Sequence, residues 1–328
     1  MRGPIAMPET LLRVSGLTVR LRGNAETALV RGVDLEMSAG EMLGLAGESG
    51  SGKTLTGLSM LGLLPPALRL GGTSSIRWLG RELVGSRERE WRGLRGRDIA
   101  LIPQHPMTAL NPVSTVGRQL AHLLKTRRGL DRHSARAESI GLLRRLAIAE
   151  PEGLLGRYPH ELSGGTCQRA LIAMALACRP RLIIADEITS ALDVTTQATI
   201  LEQLTLLCRE TGTALLLITH DLGLVARSCD RAAVMYCGRI VEQAPVEDLY
   251  ARPRHPYTAA LLAAVPVLDR DVDRPLGTIE GQVPDPAALP PGCAFAPRCA
   301  QALARCRTDD PGLSVEADRG YRCFAPLE

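Results

Sequence analysis

Gly47-Glu48-Ser49-Gly50-Ser51-Gly52-Lys53-Thr54 lies between a short apolar run, 41–46, and a helical pattern over 53–64 that Pro65-Pro66 is expected to stop. No other stretch restricts the fold as tightly. A buried strand that passes through glycines directly into a helix aims several backbone N–H groups and a helix N-terminus at one point, which suits an anion. Glycines permit the tight path. With Lys53 and Thr54 closing the turn, the pattern is that of a phosphate loop. Lys53 is expected to reach β and γ phosphates, and the Thr54 hydroxyl to bind magnesium. The rest of the chain supplies matching elements. Apolar runs at 99–102, 181–185 and 214–219 read as strands, and 114–128, 131–147, 164–178 and 194–211 as helices. Asp131 is a plausible N-cap, and Gly212 marks a helix end. Strands alternating with helices imply a mostly parallel, doubly wound α/β sheet.

Further chemistry is strung along these elements. Asp186 ends an apolar strand, where a carboxylate can hold magnesium through water. Glu187, one residue on, is the candidate general base for an attacking water. His220 closes the strand over 214–219 and is placed to sense a γ-phosphate. Gln104 follows the strand over 99–102 and can join either magnesium or the attacking water.

Composition narrows the class. At 328 residues the chain can bury a full core and suggests roughly two domains. Aromatic content is 3%, so aliphatic side chains must fill that core. The net charge of +4 is mild, and the basic clusters at 87–97 and 125–136 are interspersed with acids. A nucleic-acid partner, which would call for a concentrated basic stripe, is not expected. No stretch approaches the ~20 apolar residues of a membrane span. Pro4, Pro8 and Glu9 interrupt any secretory apolar core, so a cytoplasmic location is expected.

Leu162-Ser163-Gly164-Gly165-Thr166-Cys167-Gln168-Arg169 resembles the signature loop of ATP-binding cassette (ABC) proteins, and with the other motifs the resemblance covers 11–245. It implies a P-loop NTPase core with an antiparallel β subdomain and an α-helical subdomain at about 105–178. It also implies that Ser163 and Gly165, in the loop that carries Gly164 and Gln168, bind the γ-phosphate of ATP held by an opposite subunit. Two cassettes would close over two ATP molecules, and hydrolysis would reopen them. Ser190-Ala191-Leu192-Asp193 resembles the loop that lines that interface.

A hairpin is expected across Cys237-Gly238, and a helix over 255–265. A boundary is expected near residue 250, giving a nucleotide-binding domain over 1–250 and an extension over 251–328. His255-Pro256-Tyr257-Thr258, followed by Cys293, Cys299 and Cys306, resembles the C-terminal extension of oligopeptide/dipeptide permease ATPases. The run from Gln104 through Pro112 is similar to their segment after the glutamine. The resemblance implies an ATPase subunit on the cytoplasmic face of the cell (inner) membrane, peripherally bound. Its partners would be a related second ATPase in a heterodimer, two membrane permeases and an extracytoplasmic solute-binding protein. The alternatives are import of nickel or another small solute, and a soluble cassette ATPase outside transport.

The nine cysteines are uneven. Cys167, Cys178, Cys208, Cys229 and Cys237 read as small core residues. Cys293, Cys299, Cys306 and Cys323 crowd the tail with five, six and sixteen residues between them. In a reducing compartment a metal site suits them better than disulfides. Three readings stand: a [4Fe–4S] cluster, which some close relatives carry at such a tail, zinc, and unligated thiols. Several positions depart from the family pattern. Leu21 stands where an adenine-stacking aromatic is usual, Pro103 and His105 flank Gln104, Thr166-Cys167 follow the signature glycines, and Ile188 replaces a proline.

Overall fold

The computed structural model describes residues 9–23, 27–188, 193–265 and 278–328. The chain divides into two units. One comprises Ser38–Met42 and Ser86–Leu217 with Glu9, and the other Thr10–Met37, Leu43–Gly85 and Ile218–Glu328.

In the first unit, Ile99–Ile102 pairs in parallel with Leu182–Asp186, Ile99 opposite Leu182 and Ile102 opposite Ala185. Ala214–Thr219 lies on the other side of Leu182–Asp186. Leu182–Asp186 and Ala214–Thr219 are buried at every position. Continuous apolar runs are what a parallel sheet covered on both faces requires. Helices Val116–Arg128, Arg132–Arg145 and Gly164–Ala177 form a block beside them. Val116, Leu120 and Leu124, spaced by one helical turn, are fully buried. Arg128 ties the three helices at one end. Its Nη1 donates to Glu138 at 2.7 Å and to the Ala177 carbonyl at 3.0 Å. Asp131 caps the middle helix by accepting the Ser134 N–H at 2.7 Å, as expected from sequence. Val194–Thr211 starts at the Asp193 cap and ends at Gly212, whose φ of 66° is left-handed.

In the second unit, Thr10–Leu21 pairs antiparallel with Ser75–Trp78, Leu12 opposite Trp78 and Ser15 opposite Ser75. Ala28–Ser38 flanks Thr10–Leu21 on its other side. Leu12, Val14, Leu17 and Val19 are buried, while Arg13 and Ser15 are exposed. This partial alternation is that of a sheet with one covered face. Arg231–Tyr236 and Arg239–Pro245 form the expected hairpin, and Arg231–Tyr236 also runs parallel to Met42–Ala46. Arg319–Tyr321 then adds to Arg239–Pro245, and Ser314–Glu316 to Arg319–Tyr321.

The helix expected over 53–64 is shorter, Lys53–Met60. Gly62 takes a φ of 61°, so the left-handed turn after Leu61 ends the helix before Pro65-Pro66 is reached. The later helix is Pro256–Ala263. Residues 266–277 lie outside the described residues, and those that follow, up to Phe295, form no helix or strand. Aromatic side chains hold this part of the unit together. Tyr236, Tyr257 and Phe295 meet with ring centroids 4.6, 5.3 and 5.2 Å apart, geometry that adds to their burial. A buried carboxylate adds to them. Glu242 accepts the backbone N–H groups of Arg254 at 2.7 Å and His255 at 2.9 Å.

Candidate functional site: phosphate loop, carboxylate pair and signature turn

The glycine loop follows Met42–Ala46 as the sequence predicts. Gly47 has a φ of 148°, and a Cβ there would run into the Met235 carbonyl oxygen. Only glycine fits. Gly52, with a φ of 102°, is the N-cap of Lys53–Met60. It brings no side chain, so no side-chain cap competes with an anion for the first-turn N–H groups. Lys53 is 4% exposed. Its Nζ donates to the carbonyls of Gly47 at 2.8 Å and Glu48 at 2.9 Å. Ser51 is buried, whereas Ser49, Gly50 and Thr54 are exposed.

Asp186 is the buried last residue of Leu182–Asp186, at 6% exposure. Glu187 follows with a φ of 46°, a left-handed conformation that is costly for a side chain with a Cβ. The turn directs its carboxylate to Gln104, whose Nε2 donates to Oε2 at 2.7 Å. Glu187 and Gln104, 83 residues apart in sequence, are thus in direct contact. Ile188 is 2% exposed, and an apolar side chain serves that buried position.

Ser163 caps Gly164–Ala177 by accepting the Thr166 N–H at 3.3 Å, with Gly164 and Gly165 in its first turn. Thr166 returns a second contact, its hydroxyl 2.9 Å from the Ser163 hydroxyl. Cys167, the other unusual residue here, is fully buried. Its thiol donates to Met107 Sδ at 3.2 Å and to the Pro159 carbonyl at 3.5 Å. Burial raises its pKa. The segment after Gln104 is thereby packed against the start of the signature helix. Gln168 is 1% exposed, and its Nε2 finds no hydrogen-bond partner among the described residues.

His220 is exposed immediately after Ala214–Thr219. Ser190, Ala191 and Leu192 lie outside the described residues, while Asp193 accepts the Thr196 N–H at 3.0 Å. Leu21 is half-buried at the end of its strand, opposite Leu68. Pro103 is half-buried and His105 exposed at the start of Pro106–Ala109.

Cys293, Cys299, Cys306 and Cys323 line one small cavity with His255 and Phe295. Cys293 N–H donates to the Cys306 carbonyl at 2.9 Å. Burial pushes the Cys293 thiol up to about 11 and raises those of Cys299 and Cys323. No three His, Cys, Asp or Glu side chains among the described residues are drawn close enough to hold one metal ion. Sequence reasoning missed Tyr257 and Arg298, both of which contact Glu48 in the phosphate loop. Tyr257 was visible only as part of a tail motif, and nothing distinguished Arg298 from the other arginines.

Known proteins resemble this chain over most of its length. The model of the ABC transporter family matches residues 30–190, and that of the oligopeptide/dipeptide transporter C-terminal region matches 241–306. The oligopeptide transport ATP-binding protein AppD of Bacillus subtilis is 45% identical over 317 residues, 96% of each chain. A probable peptide ABC transporter ATP-binding protein, y4tR of Sinorhizobium fredii, is 49% identical over 324 residues, covering 98% of this chain and 96% of the relative. Among solved structures, cbiO1 from Clostridium perfringens, part of the ABC transporter complex cbiONQ, superposes with a TM-score of 0.62 at 25% identity, over 74% of this chain and 91% of that one. The ATP-binding cassette MJ0796, in a dimeric structure bound to ADP and Pi, gives 0.64 at 24% identity, over 72% and 99%, and speaks to the fold alone. With its phosphate loop, signature turn, carboxylate pair and tail in this order, the chain belongs to the ABC transporter ATPases of the oligopeptide/dipeptide family.

Proposed function

We infer that this chain is the ATP-hydrolysing subunit that powers import of di- or oligopeptides through a membrane ABC transporter. The observation that carries the hydrolytic part is the carboxylate of Glu187, next to Asp186 at a strand end and oriented by Gln104 at 2.7 Å. Near full-length likeness to peptide transport ATP-binding proteins supports the cargo class.

The residue roles follow from their chemistry. The N–H groups of 47–52 and the Lys53 ammonium bind the β and γ phosphates of ATP. Thr54 and Asp186, with Gln104, offer the hard oxygen donors that magnesium prefers, and the ion would neutralise charge developing on the phosphates. Glu187 takes a proton from a water as its oxygen bonds to the γ-phosphorus. The bond to the ADP oxygen breaks, leaving ADP and phosphate. His220 contacts the γ-phosphate. Ser163 and Gly165, with Gly164 between them and Gln168 buried in the same helix, serve the ATP of a second, related subunit in a heterodimer, so each ATP stabilises the closed pair only while its γ-phosphate is present.

No helix among the described residues is long and apolar enough to cross a membrane. In this reading the subunit works peripherally, on the cytoplasmic face of the cell membrane, which likeness to peptide transport ATP-binding proteins supports. Two permeases form the path, and an extracytoplasmic binding protein delivers the cargo. We take residues 1–250 as the nucleotide-binding domain, with its helical subdomain at about 105–178, and 251–328 as the extension.

The tail cysteines carry a [4Fe–4S] cluster in this reading. Their chemistry suits it, four cysteines lining one small cavity, but ligation would have to draw them closer than they stand here, and it would brace a segment poor in regular structure. Protein purified without oxygen should be brown and hold about four irons per chain. Colourless, folded protein with zinc or no metal would discard this reading.

The test of function is reconstitution in proteoliposomes with two permeases, a second ATPase and a binding protein drawn from the same organism. Labelled peptide should enter only with ATP, and peptide-loaded binding protein should stimulate hydrolysis. Stimulation by nickel chelates and none by peptides would overturn the cargo.

A further inference from the structure

We propose that Arg298, in the tail, is a positioning residue for the phosphate loop and acts on it through Glu48. Every polar group of Glu48 is held. Its N–H donates to the Tyr257 hydroxyl at 3.0 Å. Its carbonyl accepts from Lys53 Nζ at 2.9 Å. Its carboxylate takes a two-point contact from Arg298, Nη1 to Oε2 at 2.8 Å and Nη2 to Oε1 at 3.0 Å. Two of these grips come from residues beyond 250, a third is the phosphate-binding lysine itself, and the Ser51 N–H adds a fourth at the same carbonyl, at 3.2 Å.

Arg298 is built for this contact. Its side chain is 4% exposed, against 27% for Glu48, so the pair is not the solvent-screened kind that contributes little. Its other hydrogen bonds go to fixed acceptors: Nε to the Glu280 carbonyl at 3.0 Å, Nη2 to the Ile279 carbonyl at 3.2 Å and Nη1 to the Tyr236 hydroxyl at 3.4 Å. A planar fork held on several sides has one orientation, which a lysine ammonium cannot copy. Two consequences follow for a phosphate ligand. A bare carboxylate in the loop would repel a polyanion, and Arg298 offsets that charge. A loop already held in its path loses less freedom when the ligand binds.

The inference rests on the reading of 47–54 as the ATP loop, and Lys53→Ala tests that reading separately. ATP affinity is measured by equilibrium binding to the full-length chain, with melting temperature recorded alongside. Arg298→Ala should weaken ATP binding about tenfold, and Arg298→Lys should recover part of the loss. In a Glu48→Gln background, Arg298→Ala should change affinity by less than about twofold. In the assembled transporter the KM for ATP should rise while kcat at saturating ATP holds within about twofold. A lowered melting temperature with unchanged ATP affinity would mean that Arg298 only holds the tail, and equal losses in both backgrounds would mean that it acts other than through Glu48. Either overturns the proposal. Should Arg298→Ala not fold, Arg298→Lys carries the test, since it keeps the charge and loses the two-point contact with Glu48. A severalfold loss of ATP affinity is expected and an unchanged value overturns the proposal. Lys53→Ala binding ATP normally would instead sink the loop reading itself.

Discussion

Gln104 and Glu187 meet through a single hydrogen bond, Nε2 to Oε2 at 2.7 Å. One follows Ile99–Ile102 and the other Leu182–Asp186, and these strands are paired in parallel. The contact is therefore a consequence of sheet register, and it orients the carboxylate from outside its own turn. Replacing Glu187 by Gln keeps the shape and removes the base. Hydrolysis in the assembled transporter should fall by about 100-fold or more, with ATP affinity retained. Turnover at the parental rate would show that the base lies elsewhere.

Gln104→Ala removes the orienting donor and leaves the base. Turnover should fall by about tenfold, less than for Glu187→Gln, with little change in the KM for ATP. Steady-state kinetics of both variants and of the double variant checks this. Because the residues act as a pair, the double variant should be no slower than Glu187→Gln alone.

At the signature turn, stability and function meet in one side chain. Ser163 caps Gly164–Ala177 and shares a hydrogen bond with the Thr166 hydroxyl. Ser163→Ala should cost about 1 kcal/mol of stability as a lost cap, and should also reduce hydrolysis at the partner's ATP. Thr166→Val deletes only the second contact. It should leave the cap and lower the melting temperature less than Ser163→Ala does, as thermal unfolding of the two proteins would show.

Local rules made much of the nucleotide machinery legible. The glycine loop, the Asp131 cap, the Gly212 helix end and the hairpin each follow from residues within a few positions of one another, where backbone sterics decide. Helix length was less legible. The pair Pro65-Pro66 is a strong stop signal, yet Gly62 acts first. The tail was least legible. Ser314–Glu316 and Arg319–Tyr321 are three residues each, too short for a period, and they exist because Arg239–Pro245 offers an edge to pair with. Arg298 and Glu48 are 250 residues apart, and no local pattern connects them.

The helical block should respond to acid through Glu138, which faces Arg128 at 2.7 Å and Arg179 at 3.5 Å. Arg128 holds the Glu138 carboxyl below the ordinary carboxylate range, chiefly by a direct hydrogen bond, against a smaller opposing effect of burial. A carboxyl with a lowered folded pKa binds fewer protons folded than unfolded, so it stabilises above its unfolded value of 4.5. That contribution is lost as pH falls through the folded value. Glu138→Gln should therefore destabilise the protein at pH 7 and narrow its difference from the parent as pH drops below about 4.5. Denaturant melts across that range would read both effects, and a gap independent of pH would rule out the ion pair as the cause.

Two loop glycines should separate backbone necessity from convenience. Gly47 and Gly50 both have positive φ, 148° and 78°. A Cβ on Gly47 would collide with the Met235 carbonyl oxygen, and one on Gly50 would meet nothing within 4 Å. Gly50→Ala thus bears only the intrinsic cost of a left-handed residue, about 1–2 kcal/mol. It should bind ATP, more weakly than the parent. Gly47→Ala must also move the loop or Arg231–Tyr236, and a loop displaced at its first residue carries with it the Gly47 and Glu48 carbonyls that hold Lys53. Its ATP binding should be lost at nucleotide concentrations that saturate Gly50→Ala. Equilibrium binding and melting temperature on both variants decide the matter, and equal affinities would mean that the close approach to Met235 does not set the path of the loop.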